Sequence, residues 1–209
     1  MMRQGIGGID LERHIMSQNK YLAPLLAALK DLSAWFKAEK ISGVIIGGVA
    51  ASILGRPRLT RDVDAMVLLD NDAWSGFLNV GKQFGFFPRH PDPIAFAEKK
   101  HMILVHHKPS GVDIDISVGM LPFELEVIKN IKWTKISSVK IPLPAPEDLI
   151  IMKAVAHRQR DLIDIEAILD AHPKLNLKRI RKWVKEFSYV LEMPEILKDI
   201  EKMLKRKKK

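Results

Sequence analysis

Residues 47–67 read GGVAASILGRPRLTRDVDAMV. Two glycines close the apolar run Ser42–Ile46, and two aspartates, Asp62 and Asp64, stand one residue apart at the head of a second apolar run, Val63–Leu69. Aspartate is a poor strand former and costly to bury without a partner. In a strand, residues i and i+2 face the same side, so the two carboxylates converge while Val63 turns toward the core. A cation between them relieves their repulsion. Hard divalent cations such as Mg²⁺ take one or two carboxylates together with substrate phosphates. Read alone, the pair fits a solvated strand end equally well.

Three other segments bear on that choice. Val112-Asp113-Ile114-Asp115-Ile116 is a second strand with its own same-face carboxylates and apolar residues on the opposite face. Two such strands converging would build a site for phosphoryl or nucleotidyl transfer. Gly47 and Gly48 let a ligand approach the backbone, and the helix expected after them offers free N–H groups to phosphate. The pattern is neither a Walker P-loop nor a GxGxxG turn. Finally, Asp148–Leu169 has the periodicity of one long helix. Lys153, His157, Arg160, Asp161 and Asp164 fall on a stripe of it roughly 100° wide, opposite Ile151, Val155, Leu162, Ile165 and Leu169. On a helix otherwise so apolar, the stripe reads as the wall of a cleft. Lys153 is placed to meet a triphosphate, and Asp161 or Asp164 to hold Arg160 or Lys153.

The 209 residues suit one domain with a small appendage, and 47% apolar content permits a sizeable core. With no cysteine, disulfides, thiolate metal sites and cysteine nucleophiles are excluded. The net charge of +9 is concentrated at the end: EKMLKRKKK holds six basic groups and one acid, hence +5, leaving +4 elsewhere. MMRQGIGGIDLERH carries no secretory h-region, and no apolar run nears the ~18–20 residues that cross a bilayer. A cytoplasmic protein without a membrane partner is expected.

The expected elements are a helix over Tyr21–Glu39, strands over Ser42–Ile46 and Val63–Leu69, and helices over Val49–Leu54 and Asp72–Phe84. A hairpin Met102–His107/Val112–Val118, a helix Pro122–Asn130 and an extended pair Lys132–Ile136/Val139–Leu143 follow. The long helix and two more, Leu177–Val190 and Pro194–Lys205, complete the chain. The fold class is α+β. A weakly ordered segment (1–20) leads into an α/β core (21–143), a C-terminal helical region packed on it (144–205) and a basic tail (206–209).

The run Gly47 to Asp64 resembles the first motif of the DNA polymerase β-like nucleotidyltransferases: a Gly-Gly or Gly-Ser turn, a helix, then DxD. Arg58-Leu59-Thr60-Arg61-Asp62-Val63-Asp64 and Lys153…Arg158…Arg160-Asp161…Asp164 are similar to the Arg-x-Thr-x-Asp-x-Asp and Lys…Arg…Arg-Asp-x-x-Asp runs of the small AbiEii-like, abortive-infection and toxin branch. The likeness covers roughly residues 42 to 170. It implies a palm-like mixed sheet flanked by helices and a Mg²⁺- or Mn²⁺-dependent transfer of NMP from an NTP to a hydroxyl of RNA, such as tRNA, or of protein. An antitoxin partner is also implied. On this resemblance Gly47, Gly48, Arg58, Thr60 and Arg160 bind the nucleotide, and Lys153 and Asp161 join the catalytic set. Asp62 and Asp64 bind metal, and the third carboxylate is Asp115 or Asp113, with Asp115 favoured. The alternatives are a catalytically silent nucleotide- or RNA-binding regulator of the same fold, or a nucleic-acid binder using the basic C-terminal helices. In those helices Trp183, Phe187 and Tyr189 are expected in the core.

Overall fold

A computed structural model describes residues 7–206, with side-chain surroundings from Leu22 onward. The first helix, α1, runs Gly7–Ala38, beginning earlier than the expected Tyr21. The expected weakly ordered segment and basic tail lie partly outside the described residues. Five strands form the main sheet: β1 (Gly43–Ile46), β2 (Asp62–Val67), β3 (Phe86–Pro88), β4 (Met102–His107) and β5 (Val112–Val118), in the order β1-β2-β5-β4-β3. The pair β2–β5 is parallel and the other three pairs are antiparallel, so the sheet is mixed. Lys132–Ile136 (β6) and Val139–Leu143 (β7) make a separate two-stranded ribbon.

Alternation decides which face of the sheet is core. On β5 Val112, Ile114, Ile116 and Val118 are buried, while Asp113, Asp115 and Ser117 are half-buried. On β4 Ile103, Val105 and His107 are buried and their neighbours are not. The buried face packs under α1 and α3 (Trp74–Gly81). There Trp35 stacks on Phe77, with ring centres 4.0 Å apart, and on Phe86 at 5.1 Å. The Trp35 indole N–H donates to the Phe77 carbonyl at 3.1 Å, so this polar atom is satisfied inside the core. His107 is fully buried, its Nε2 3.2 Å from Asp31 of α1.

The opposite face carries the aspartates. Between β1 and β2, α2 spans Gly47–Leu54 and starts directly at the double glycine. The expected helix Asp72–Phe84 divides into α3 between two short 3-10 turns, Asn71–Ala73 and Lys82–Phe84. Sequence periodicity leaves the segment after Phe84 unassigned. It holds β3 and α4 (Pro93–Lys100), which is capped by Asp92 accepting from the Ala95 N–H at 3.1 Å, with proline at its first position. Helix α5 (Pro122–Lys129) precedes the ribbon.

The long helix expected over Asp148–Leu169 is two helices, α6 (Pro146–Ala156) and α7 (Gln159–Ala171). His157 adopts a left-handed conformation (φ 49°) and ends α6, its N–H bonded to the Lys153 carbonyl. Asp161 then accepts from the Arg158 N–H at 3.3 Å, the reach-back that opens a new helix. Periodicity runs through this break because apolar residues resume in phase beyond it. Helices α8 (Leu177–Val190) and α9 (Pro194–Arg206) close the fold. Trp183 is buried and Phe187 partly so, both against Phe123, but Tyr189 is 85% exposed, contrary to the core position expected for it.

Candidate active site

The parallel register of β2 and β5 places Asp62 beside Asp113 and Asp64 beside Asp115. Four carboxylates therefore share one face, at the end of the sheet where α2 begins. Asp62 is exposed and the other three are half-buried. Gly47 has φ +60°, a left-handed conformation, and a Cβ there would land on the Asp64 carboxylate. The glycine is thus required twice, by the turn and by the aspartate packed against it. The Gly48 N–H donates to Asp64 Oδ2 at 3.4 Å. A Cβ on Gly48 would meet Thr60 Oγ1 at 3.0 Å and Arg58 Nη2 at 3.2 Å, so the run 58–60 lies over the glycine turn. Thr60 donates to Asp62 Oδ1 at 3.1 Å.

Behind the turn, Arg58 makes two 2.9 Å hydrogen bonds to Asp164, the planar fork on a carboxylate. Lys153 Nζ lies 2.7 Å from Asp164 and 2.9 Å from Asp161. Lys153, Asp161 and Asp164 are all buried. This network joins α6, α7 and the loop after α2, and it anchors Lys153 close enough to Asp64 for its charge to act on that carboxylate. One sequence expectation is corrected here: His157 sits 3.3 Å from Asp199 of α9, because the helix break rotates it out of the stripe. Of the two cations that Asp161 or Asp164 was expected to hold, Lys153 is the one held; Arg160 stays exposed and donates to the Leu59 carbonyl at 3.4 Å.

Arg89 and His106 are neighbours of the carboxylates that sequence reasoning missed. Arg89, just after β3, bridges Asp113 (3.4 Å) and Asp115. His106 Nδ1 is 2.6 Å from Asp113 Oδ1. The signal lay in the strand Phe86–Pro88 and the Asp92-Pro93 helix start, which together bring Arg89 to the sheet edge. Asp113 is consequently engaged by two groups, whereas Asp64 has only a long amide contact.

The electrostatics follow. Burial raises the Asp64 carboxyl above its ordinary value, opposed by the Gly48 N–H and by Lys153 and reinforced by repulsion from Asp62 and Asp115. Burial likewise raises Asp115; Arg89 pulls it back, and Asp62 and Asp113 push it up. Carboxylates that repel across one face, with oxygen donors only, match a hard divalent cation in chemistry. The gathering is incomplete as it stands: among the described residues no three His, Asp or Glu side chains close on a point to hold a metal, and Arg89 engages Asp115.

The chain matches no protein-family model. It matches no curated protein sequence either. Solved structures are more informative. An antigenic nucleotidyltransferase-like protein from Paracoccidioides brasiliensis aligns over 83% of this chain and 92% of its own, with a TM-score of 0.53 at 15% identity. The solution structure of the antibiotic-resistance factor ANT(2'')-Ia aligns over 82% and 95%, with a TM-score of 0.55 at 11% identity. This chain has the nucleotidyltransferase fold. The crystal structure of ANT(2'')-Ia with adenylyl-2''-tobramycin aligns over 78% and 95%, with a TM-score of 0.51 at 14% identity. At such identities the nucleotidyltransferase fold is what is shared, and the chemistry rests on this chain's own residues. No helix among the described residues is long and apolar enough to cross a membrane.

Proposed function

We propose that the protein is a metal-dependent nucleotidyltransferase that moves an NMP from an NTP to a hydroxyl of RNA or protein, and that it belongs to the AbiEii-like toxin type with an antitoxin partner. The carrying observation is the register that sets Asp62 and Asp64 beside Asp113 and Asp115 at the double-glycine turn. Asp62 and Asp64 would hold Mg²⁺ or Mn²⁺, with Asp115 as third carboxylate. When bound, the cation screens these charges and polarises the phosphate. The backbone N–H groups opening α2 receive the triphosphate. Thr60 and Arg58 border that turn. Lys153 has three N–H donors and spends two on Asp161 and Asp164, leaving one to meet the phosphates. The acceptor hydroxyl gives its proton to a carboxylate of the site as its oxygen attacks the α-phosphorus. The bond to the β-phosphate oxygen breaks and pyrophosphate leaves. Positioning and charge supply the catalysis.

The Arg89 bridge favours a second reading, a silent nucleotide-binding relative whose third carboxylate is permanently neutralised. Pyrophosphate release separates the two. With Mn²⁺ or Mg²⁺, each NTP and pooled tRNA or cell protein, the enzyme releases pyrophosphate and Asp62→Ala does not. Tight NTP binding without release under every condition supports the silent reading. The toxin assignment predicts growth arrest on induced expression of wild type and growth on induction of Asp62→Ala.

A further inference from the structure

At the other end of β1 from the double glycine, a groove of about 770 Å³ runs between α1 and the β6–β7 ribbon. Four lysines line it, Lys30, Lys37, Lys129 and Lys140, together with Trp133, and no acidic residue does. Trp133 is 65% exposed, whereas the other three tryptophans are buried. A lone exposed ring is ordinary on a protein surface; this one shares its groove with four lysines.

The ribbon's register sharpens this picture. Lys135 and Lys140 are directly opposed across the two strands, an arrangement that costs stability through like-charge repulsion. Trp133 lies two residues before Lys135 and so points from the same face. Lys30 and Lys37 are two helical turns apart on α1 and share a side. None of Lys30, Lys37, Lys129, Lys135 or Lys140 has an ion-pair partner among the described residues. The pattern is unpaired cations around an open aromatic platform. That is the chemistry of single-strand nucleic-acid binding, with phosphates on lysines and a base stacked on the ring.

We propose that this groove binds a single-stranded segment of a nucleic-acid acceptor. The inference rests on the nucleotidyl-transfer reading and narrows its acceptor to nucleic acid. From Gly43 at the groove to Gly47 at the site is four strand residues, about 13 Å. A short single strand spans that distance; a small acceptor held at the carboxylates does not reach the groove.

The test uses the full chain and a 15-nucleotide single-stranded oligoadenylate, without NTP or metal. The oligonucleotide should quench tryptophan emission, because Trp133 is the exposed ring. Trp133→Ala should weaken binding, read by anisotropy of a labelled oligonucleotide, about 5- to 150-fold. Trp133→Phe should restore most of it. Replacing Lys135 and Lys140 by Gln should flatten the dependence of log K on log salt by about 0.7 per lost phosphate contact. Circular dichroism confirms that each surface variant folds. Affinity unchanged in Trp133→Ala and in the lysine variant overturns the proposal. So does polyglutamate that binds as tightly as the oligonucleotide and keeps binding Trp133→Ala, which would assign the groove to an acidic protein. Nucleotidyl transfer by a wild type that binds no oligonucleotide overturns the groove and leaves the transfer reading intact; oligonucleotide binding as described without transfer to any acceptor does the reverse.

Discussion

Asp64 stands where several demands meet. Burial and the carboxylates of Asp62 and Asp115 raise its pKa, and the Gly48 N–H and Lys153 only partly offset them. An acid whose folded pKa lies above its unfolded one destabilises the fold when ionised. The penalty is full above the folded pKa and absent below the ordinary aspartate range near ~4. Asp64→Asn should therefore raise the melting temperature at neutral, metal-free pH, and the gain should shrink on acidification. A melting series across pH checks this. Such a stabilising loss of function is expected where a site holds charge for a ligand. At Gly47 the constraint is steric. Gly47→Ala costs about 1–2 kcal/mol for the left-handed backbone and also displaces the Asp64 carboxylate. Nucleotide binding by titration calorimetry should fall far more than the small shift in denaturation midpoint implies.

The elements that matter most are the β2–β5 pair and the α6–α7 joint. Asp164 joins Lys153 to Arg58 with its side chain only 6% exposed. Burial resists its ionisation, but hydrogen bonds from Arg58 and Lys153 prevail and lower its pKa. Asp164→Ala leaves two cations short of a partner and should cost about 3–5 kcal/mol in urea unfolding. A value under 1 kcal/mol would mean that the network does not brace the joint. This joint also marks how far the sequence could be read. Same-face aspartates, the glycine turn and the hairpin were legible because strand periodicity and turn chemistry are local signals. The break at His157 was hidden by apolar spacing that resumes in phase, and Asp161 restarts the helix through a contact that periodicity does not encode. Arg89 meets Asp113 and Asp115 across 24 and 26 residues, and only the strand order β5-β4-β3 brings them together.

Across the whole molecule, two faces of one sheet carry opposite duties. The aromatic layer of Trp35, Phe77 and Phe86 consolidates one face, leaving the other to hold four carboxylates, of which Arg89 engages Asp113 and Asp115, while Asp62 and Asp64 have no ion-pair partner among the described residues. His107 ties the sheet to α1 from within the buried face. Burial lowers its pKa despite the pull of Asp31. A base with a depressed folded pKa contributes no penalty above its ordinary value near 6.5, and stability then falls as pH drops toward the folded value. The wild type should lose stability below about pH 6.5 more steeply than His107→Gln, as chemical denaturation at successive pH values would record. The nucleotidyltransferase fold, the glycine turn and the four-carboxylate face together make nucleotidyl transfer the central claim. Its most direct measurement is incubation of wild type and the folded Asp64→Asn variant with α-labelled NTPs, Mg²⁺ or Mn²⁺ and pooled RNA or cell protein. Label should pass to a macromolecule with wild type and not with the variant; equal labelling by both proteins, or none by wild type with any NTP and either metal, would contradict it.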